Sequence, residues 1–217
     1  MLADRTKGVI IRVPKKGTLS DCSNLRGITL FSVPSKILSK IVIKRISDAL
    51  DTGVRKEQAG FRRERGCTNQ IFILQDIIEQ CTEWQRQLYV NFVDFENAFD
   101  GIHKDSLWRI LRACGSPLRM VQIIKSFYHN FPCRVGSSSL NFQIKTGVRQ
   151  GCVMSAILFN LEIDLVMRGA TGDQPRGIRG TVFETLEDLD FADDLALLSQ
   201  TQQHMQEKTR RLRKFEQ

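Results

Sequence analysis

The sequence predicts an α/β (α+β) protein, a small antiparallel sheet backed by helices, and three observations carry that expectation. Short β-branched and aromatic runs alternate with longer segments whose apolar residues recur every three or four positions. The stretch "LEDLDFADDLALLS" at residues 186–199 places two apolar strands around the pair Asp193-Asp194, the pattern of a hairpin. With 217 residues, 41% of them hydrophobic and 26% charged, the chain has the material for a sizeable core.

The elements follow in order. "GVIIRVPKKGTLSDCSNLRGITLFS" reads as two β-rich segments joined by turn residues at 17–23. In "PSKILSKIVIKRISDAL" the residues Ile37, Leu38, Ile41 and Leu50 fall at roughly helical spacing, which predicts a helix with a basic outer face. "DTGVRKEQAGFRRERGC" is a polar, basic loop. Thr68 is a candidate N-cap for the next helix, whose apolar face is Ile71, Leu74, Ile77, Ile78 and Cys81. The first half of "LYVNFVDFENAF" changes period and is a strand ending at Asp94.

Asp105 or Ser106 is expected to cap a helix carrying Leu107, Ile110 and Leu111, which stops near Gly115. Ser116-Pro117 opens another, with the proline in the first turn. "CRVGSSSLNFQIKTG" reads as a hairpin, and "SAILFNLEIDLVMR", apolar on nearly all sides, as a buried helix. A basic amphipathic segment closes the chain. No internal repeat, low-complexity tract or linker interrupts this order, and the sequence reads as cut off at its C-terminus.

Composition narrows the function classes. The net charge of +8 suits a polyanionic partner such as nucleic acid. The six cysteines are scattered with no C-x-x-C pair and only three histidines are present, so no zinc spacing exists. No apolar run approaches a membrane span and no secretory signal opens the chain, so a reducing intracellular location, cytoplasm or nucleus, is expected.

Chemistry concentrates on three carboxylates. A hairpin turn holding Asp193 and Asp194, with the Asp94 strand alongside, brings them together at strand ends. Like charges a few ångströms apart raise one another's pKa, and a divalent cation relieves the repulsion. Mg²⁺ takes hard oxygen ligands and keeps positions open for water and phosphate. Two such ions about 3.5–4 Å apart serve phosphoryl transfer by activating the attacking oxygen and stabilising the leaving one.

In this order and spacing, "FVDFENAFD", "TGVRQGCVMSAILFNL" and "DFADDLALL" resemble the A, B and C blocks of reverse transcriptases, most closely those of non-LTR (LINE-type) retrotransposons. "GVIIRVPKKGTLSDCSNLRGITL" and "VRKEQAGFRRERGCTNQI" resemble two upstream fingers blocks, so the likeness covers nearly the whole chain. It implies a polymerase palm over about residues 89–217 and mainly fingers over about 1–88. It also implies RNA-directed DNA synthesis with two Mg²⁺ ions (Mn²⁺ as a substitute), an RNA template, a DNA primer and deoxynucleoside triphosphates.

Carried over by motif, Asp94, Asp193, Asp194 and the carbonyl of Phe95 hold the metals. Lys15, Lys16 and Arg26 grip the triphosphate, and Phe99 is a steric gate against a 2′-hydroxyl. Gln150 and Gly151 line the nucleotide pocket, while Arg62, Arg63, Arg65 and Arg149 meet the template. Three positions depart from the family pattern: Ala156 in place of proline, Leu25 in place of tryptophan and Gly101 in place of serine. The thumb, the primer-grip hairpin and an endonuclease are expected to be absent from this chain. That leaves a truncated, inert remnant as the alternative, while an RNA-templated RNA polymerase is disfavoured by Phe99.

Overall fold

The computed structural model describes every residue except 1–7, 16, 17, 19, 22, 23, 96, 97, 130, 131, 138–140, 145, 173, 180–184, 216 and 217. The chain begins β1 (Gly8–Pro14), β2 (Leu25–Leu30), α1 (Val33–Asp51), α2 (Cys67–Glu83), β3 (Tyr89–Asp94) and α3 (Ala98–Gly101). It continues α4 (Lys104–Ala113), α5 (Leu118–Tyr128), β4 (Pro132–Val135), β5 (Phe142–Gln143) and α6 (Val153–Thr171). It ends β6 (Ile178–Arg179), β7 (Thr185–Leu186), β8 (Asp188–Phe191), β9 (Asp194–Ser199) and α7 (Gln202–Arg213). Two compact units divide it: Met1–Gly53 with Phe99–Phe159, and Val54–Ala98 with Asn160–Gln217. The expected α/β class holds.

The first unit carries a sheet in the order β2-β1-β4-β5. β1 and β2 are antiparallel from Val9 opposite Leu30 to Pro14 opposite Leu25, as the sequence predicts for this hairpin. Part of its turn, Lys16 included, lies outside the described residues. β4 and β5 form the short second hairpin, and β4 lies parallel to β1, a pairing with no local sequence signal.

α1 is helical as expected, and of the predicted apolar residues Leu50 is buried and Leu38 half-buried, but the rest of the buried face differs. Ser35, Ser39, Val42, Ile43, Ile46 and Leu50 turn inward, while Ile37 and Ile41 are exposed. The small serines make close packing possible on that side, and the Ser39 hydroxyl bonds back to the Ser35 carbonyl at 2.8 Å instead of needing water. α4 begins at Lys104 with His103 as its cap position, not Asp105 or Ser106. α5 begins at Leu118, with Pro117 just outside its first turn. Leu107, Leu111, Val121 and Ile124 make the core of this helix pair, and Trp108 meets Tyr128 edge-on at 5.8 Å between ring centroids.

The second unit is built on the antiparallel sheet β3-β9-β8. α7 packs against β3 and β9, and α2 against β8. Ile178, Leu189, Ala196 and Leu198 form its core, with Leu74, Ile77, Leu88 and Val90 packed against them. α7 is capped by Thr201, whose hydroxyl accepts from the His204 N–H. It buries Lys208 completely, because the Lys208 ammonium reaches the Leu198 carbonyl at 2.7 Å, the Glu187 carbonyl at 3.0 Å and the Glu187 carboxylate.

α2 starts one residue before the predicted cap, with Gly66 in the cap position and Thr68 inside the helix. Of its expected apolar face only Cys81 is fully buried; Ile71 and Ile78 are exposed, and so is Phe72. Among the described residues no helix is long and apolar enough to cross a membrane.

Candidate active site

β3 pairs with β9 from Tyr89 opposite Ser199 to Asp94 opposite Asp194. β8 closes on β9 with Phe191 opposite Asp194, leaving Ala192 and Asp193 as a two-residue turn. The predicted hairpin is therefore present, with Asp193 in its turn but Asp194 already the first residue of β9, and the register sets Asp94 directly across from Asp194 with Asp193 adjoining. Place along the strand explains the exposure: β9 is buried on both faces from Leu195 to Ser199, while Asp94 and Asp194 face out at the strand ends. Partial burial pushes the Asp194 carboxyl up, and the charges of Asp193 and Asp94 push it further. The Asp194 carboxyl feels both of the others.

Among the described residues no three His, Cys, Asp or Glu side chains form a ready-made metal cage. The donor set nonetheless fits Mg²⁺, which is bound through one or two carboxylates and completes its shell with water and phosphate. The repulsion that Asp193 and Asp94 exert on Asp194 is the kind that a divalent cation removes. An open apolar pocket of about 280 Å³ flanks the pair, lined in part by Ile71, Leu74, Phe92, Leu189, Phe191 and Asp94 itself.

The turn that carries Asp193 is strained. Ala192 has a φ of 59°, in the left-handed region where such hairpin turns normally place glycine. For a residue with a Cβ this costs about 1–2 kcal/mol. Both backbone polar groups of Ala192 are taken by one buried side chain from the loop before α2. Its N–H donates to Gln58 Oε1 at 2.8 Å, and Gln58 Nε2 donates to its carbonyl at 3.2 Å.

Beneath the turn, Asp188 and Asp190 of β8 are fully buried. Arg55 holds them, through Nη1 to both Asp188 oxygens at 2.8 Å and Nη2 to Asp190 Oδ2 at 2.7 Å, and its Nε reaches Asp164 on α6 at 3.1 Å. Burial alone lowers the pKa of Arg55, but Asp188, Asp190 and Asp164 outweigh it and keep the guanidinium charged. Burial, and next the neighbouring Asp188, push Asp190 well above the usual carboxylate range, and among the described residues its Oδ1 has no hydrogen-bond partner. Gln58 and Arg55 were not singled out in the sequence. The signal available was the presence of two further aspartates in an apolar strand, which demanded a buried cation from somewhere.

The other expected site residues lie in the first unit, except for the loop arginines and Phe95. Lys15 is exposed, and its backbone N–H bonds the Asn24 carbonyl at 2.7 Å across the hairpin. Arg26 is an exposed β2 residue. The ring of Phe99 stacks on that of Phe159, 4.3 Å between centroids and 6° from parallel. The Gln150 carbonyl accepts from the Thr29 N–H at 2.8 Å. Gly151 has a φ of +99°, and a Cβ there would lie 2.6 Å from the Thr29 carbonyl oxygen. The close approach expected of this glycine is made to β2.

Arg149 is buried, with its guanidinium over the Tyr128 ring at 4.8 Å and 5.9 Å from that of Phe31. In the second unit, Arg62 donates to the carbonyls of Arg55 and Gln58, and Arg65 to that of Lys56, bracing their own loop; Arg63 is exposed. Phe95 is half-buried just beyond β3, and the two residues after it lie outside the described set.

Comparison with known proteins points to one family. The profile of the family described as "Reverse transcriptase (RNA-dependent DNA polymerase)" matches residues 13–216. The Pol polyprotein from the type-2 retrotransposable element R2DM of Drosophila melanogaster is 28% identical over 197 residues, 89% of this chain and 18% of the relative. That of the type-1 element R2 of Popillia japonica is 30% identical over 191 residues, 86% of this chain and 26% of the relative. The RNA-directed DNA polymerase from mobile element jockey of Drosophila funebris is 26% identical, over 89% of this chain and 21% of its own length. The chain thus spans about a fifth to a quarter of these relatives. Among solved structures, apo telomerase from Candida tropicalis truncated from its C-terminal domain superposes with a TM-score of 0.69 at 13% identity, covering 98% of this chain and 48% of that one.

Proposed function

Because the chain belongs to the reverse transcriptase family, we propose that it performs RNA-templated DNA synthesis, as the polymerase segment of a retrotransposon protein. The observation that carries the reading is the β3–β9 register, which sets Asp94 against Asp194 with Asp193 in the adjoining turn. In the reaction the primer 3′-hydroxyl attacks the α-phosphate of a deoxynucleoside triphosphate; a new P–O bond forms and pyrophosphate leaves. Two Mg²⁺ ions (or Mn²⁺), when bound, supply activation of the attacking oxygen and charge neutralisation on the leaving one.

The chain's own residues then do the holding and the choosing. Asp94, Asp193 and Asp194, with the Phe95 carbonyl, are the ligands this reading assigns. Lys15, Lys16 and Arg26 bind the triphosphate, the lysines as point charges and the arginine as a fork. Phe99 excludes a 2′-hydroxyl by collision, and its stack on Phe159 supports the reading because a gate must be rigid to discriminate. Gln150 and Gly151 shape the nucleotide pocket. Arg62, Arg63 and Arg65 follow the template backbone, Arg63 being the freely presented one of the three. Residues 1–88 are read as mainly fingers and 89–217 as mainly palm. The loop from Val54 joins the unit that carries the aspartates, so its arginines brace the palm as well.

The test is deoxynucleotide incorporation on a primed RNA template with Mg²⁺, comparing the chain with Asp193→Ala. Incorporation that falls at least about 10²-fold in the variant is expected, since phosphoryl transfer rests on positioning and charge stabilisation. Equal, background incorporation by both proteins would overturn the reading and leave an inert remnant.

A further inference from the structure

We propose that Gln58 is a positioning residue for Asp193, its carboxamide locking the Ala192–Asp193 turn in the left-handed conformation that fixes where the carboxylate points. The inference rests on the polymerase reading of that carboxylate, and it deepens it by naming what sets the geometry. Gln58 is completely buried and uncharged. Its Oε1 receives two N–H groups, from Gly60 at 2.7 Å and from Ala192 at 2.8 Å, while its Nε2 returns a bond to the Ala192 carbonyl at 3.2 Å. A two-point grip on a single peptide residue fixes its orientation as well as its place.

The grip falls on the one residue of the hairpin that needs it. Ala192 is itself buried and carries the positive φ, so without Gln58 it would keep both the strain and two unsatisfied backbone groups. The surrounding backbone is arranged for the same contact. Gln58 bridges Asp190 in parallel, the Ala59 N–H donates to the Asp190 carbonyl at 2.9 Å, and the Asp190 N–H to the Glu57 carbonyl at 3.2 Å. Residues 57–60 therefore lie along β8 and reach the turn at its tip. A Cβ on Gly60 would fall 2.2 Å from the Ala192 nitrogen, so only glycine permits this approach. The Asn160 amide in turn holds the Gly60 carbonyl. Glycine at 192 would adopt the left-handed turn without strain. Alanine with a clamp makes it single-valued, as a metal ligand requires.

The experiment uses the full chain and Gln58→Met, which keeps bulk and removes the hydrogen bonds. Hydrogen exchange reads the turn, and electron paramagnetic resonance of added Mn²⁺ reads the site without turnover. In Gln58→Met the Ala192 amide is expected to exchange at least about 10-fold faster while the Leu197 and Leu198 amides stay protected. Mn²⁺ should bind about 10-fold more weakly. In turnover kcat should fall with little change in the deoxynucleotide KM.

The double variant Gln58→Met/Ala192→Gly tests the cause, because glycine accepts the positive φ unaided. Mn²⁺ affinity recovering toward the parent's supports the clamp. A double variant as impaired as the single one, in folding or in Mn²⁺ binding, would overturn it. So would a single variant whose Ala192 exchange equals the parent's. If instead Asp193→Ala binds Mn²⁺ as the parent does, it is the metal-site reading that fails, and Ala192 exchange still decides the clamp.

Discussion

At Gly151 the backbone has a φ of +99° and a Cβ would meet the Thr29 carbonyl oxygen at 2.6 Å, so two separate penalties attach to any side chain. Gly151→Ala is expected to destabilise the chain by about 2 kcal/mol or more, strain and overpacking adding. A urea midpoint within error of the parent's would show that β2 yields at Thr29. Phe99 poses a different question, since its ring is held by Phe159 and not by hydrogen bonds. Phe99→Val keeps an apolar side chain and removes the ring. Under the proposed function it should lower the preference for deoxynucleotides over ribonucleotides at least about 10-fold, with deoxynucleotide kcat/KM much less affected. An unchanged ratio of the two kcat/KM values would mean that discrimination lies elsewhere.

At the scale of the element, β8 is a buried strand whose two aspartates are held by a cation from outside it. Removing Arg55 strands Asp188 and Asp190 together, while Asp164 keeps Arg168 at 2.8 Å, so Arg55→Met should cost about 3–5 kcal/mol, measured by urea unfolding. Asp190 gives the pH dependence. Its folded carboxyl is raised, so between the unfolded value near 4 and that raised value the folded state binds more protons, and stability falls as pH rises. Asp190→Asn does not titrate, so its stability relative to the parent should climb from about pH 4 toward neutrality. Parallel profiles at acid and neutral pH would refute this.

The same strand marks what sequence can and cannot convey. The apolar runs on either side of Asp193-Asp194 disclosed the hairpin, because that signal is local. The cation for Asp188 was invisible because it comes from Arg55, 133 positions away, out of a loop whose polarity looked like solvent exposure. Helix faces failed for a related reason. Ile37 and Ile41 sit at helical spacing like the buried residues, but Ser35 and Ser39 win the inner face by being small, and a hydrophobic count cannot see that. Gln58 carried no motif weight of its own, and its meaning depends on a φ angle at Ala192 that alanine does not advertise.

For the molecule as a whole, the excess of positive charge is the property that any polyanion meets first. A net charge of +8 predicts association with nucleic acid whose log affinity falls linearly with log salt, each neutralised phosphate contributing about 0.9 to the slope. Position in the fold decides which cations count. Arg63 is exposed on the loop before α2, so Arg63→Gln should reduce the slope on an RNA–DNA duplex by about 0.9 and leave thermal unfolding unchanged within error. Arg149 is buried over the Tyr128 ring, where a guanidinium supports packing and cannot exchange counterions while it stays there. Arg149→Met should therefore lower the unfolding midpoint and keep the salt slope. If the two variants behave in the reverse way, with Arg149 setting the slope and Arg63 the stability, then Arg149 leaves its aromatic stack to reach the template backbone, as its place beside Gln150 and Gly151 implies by family resemblance.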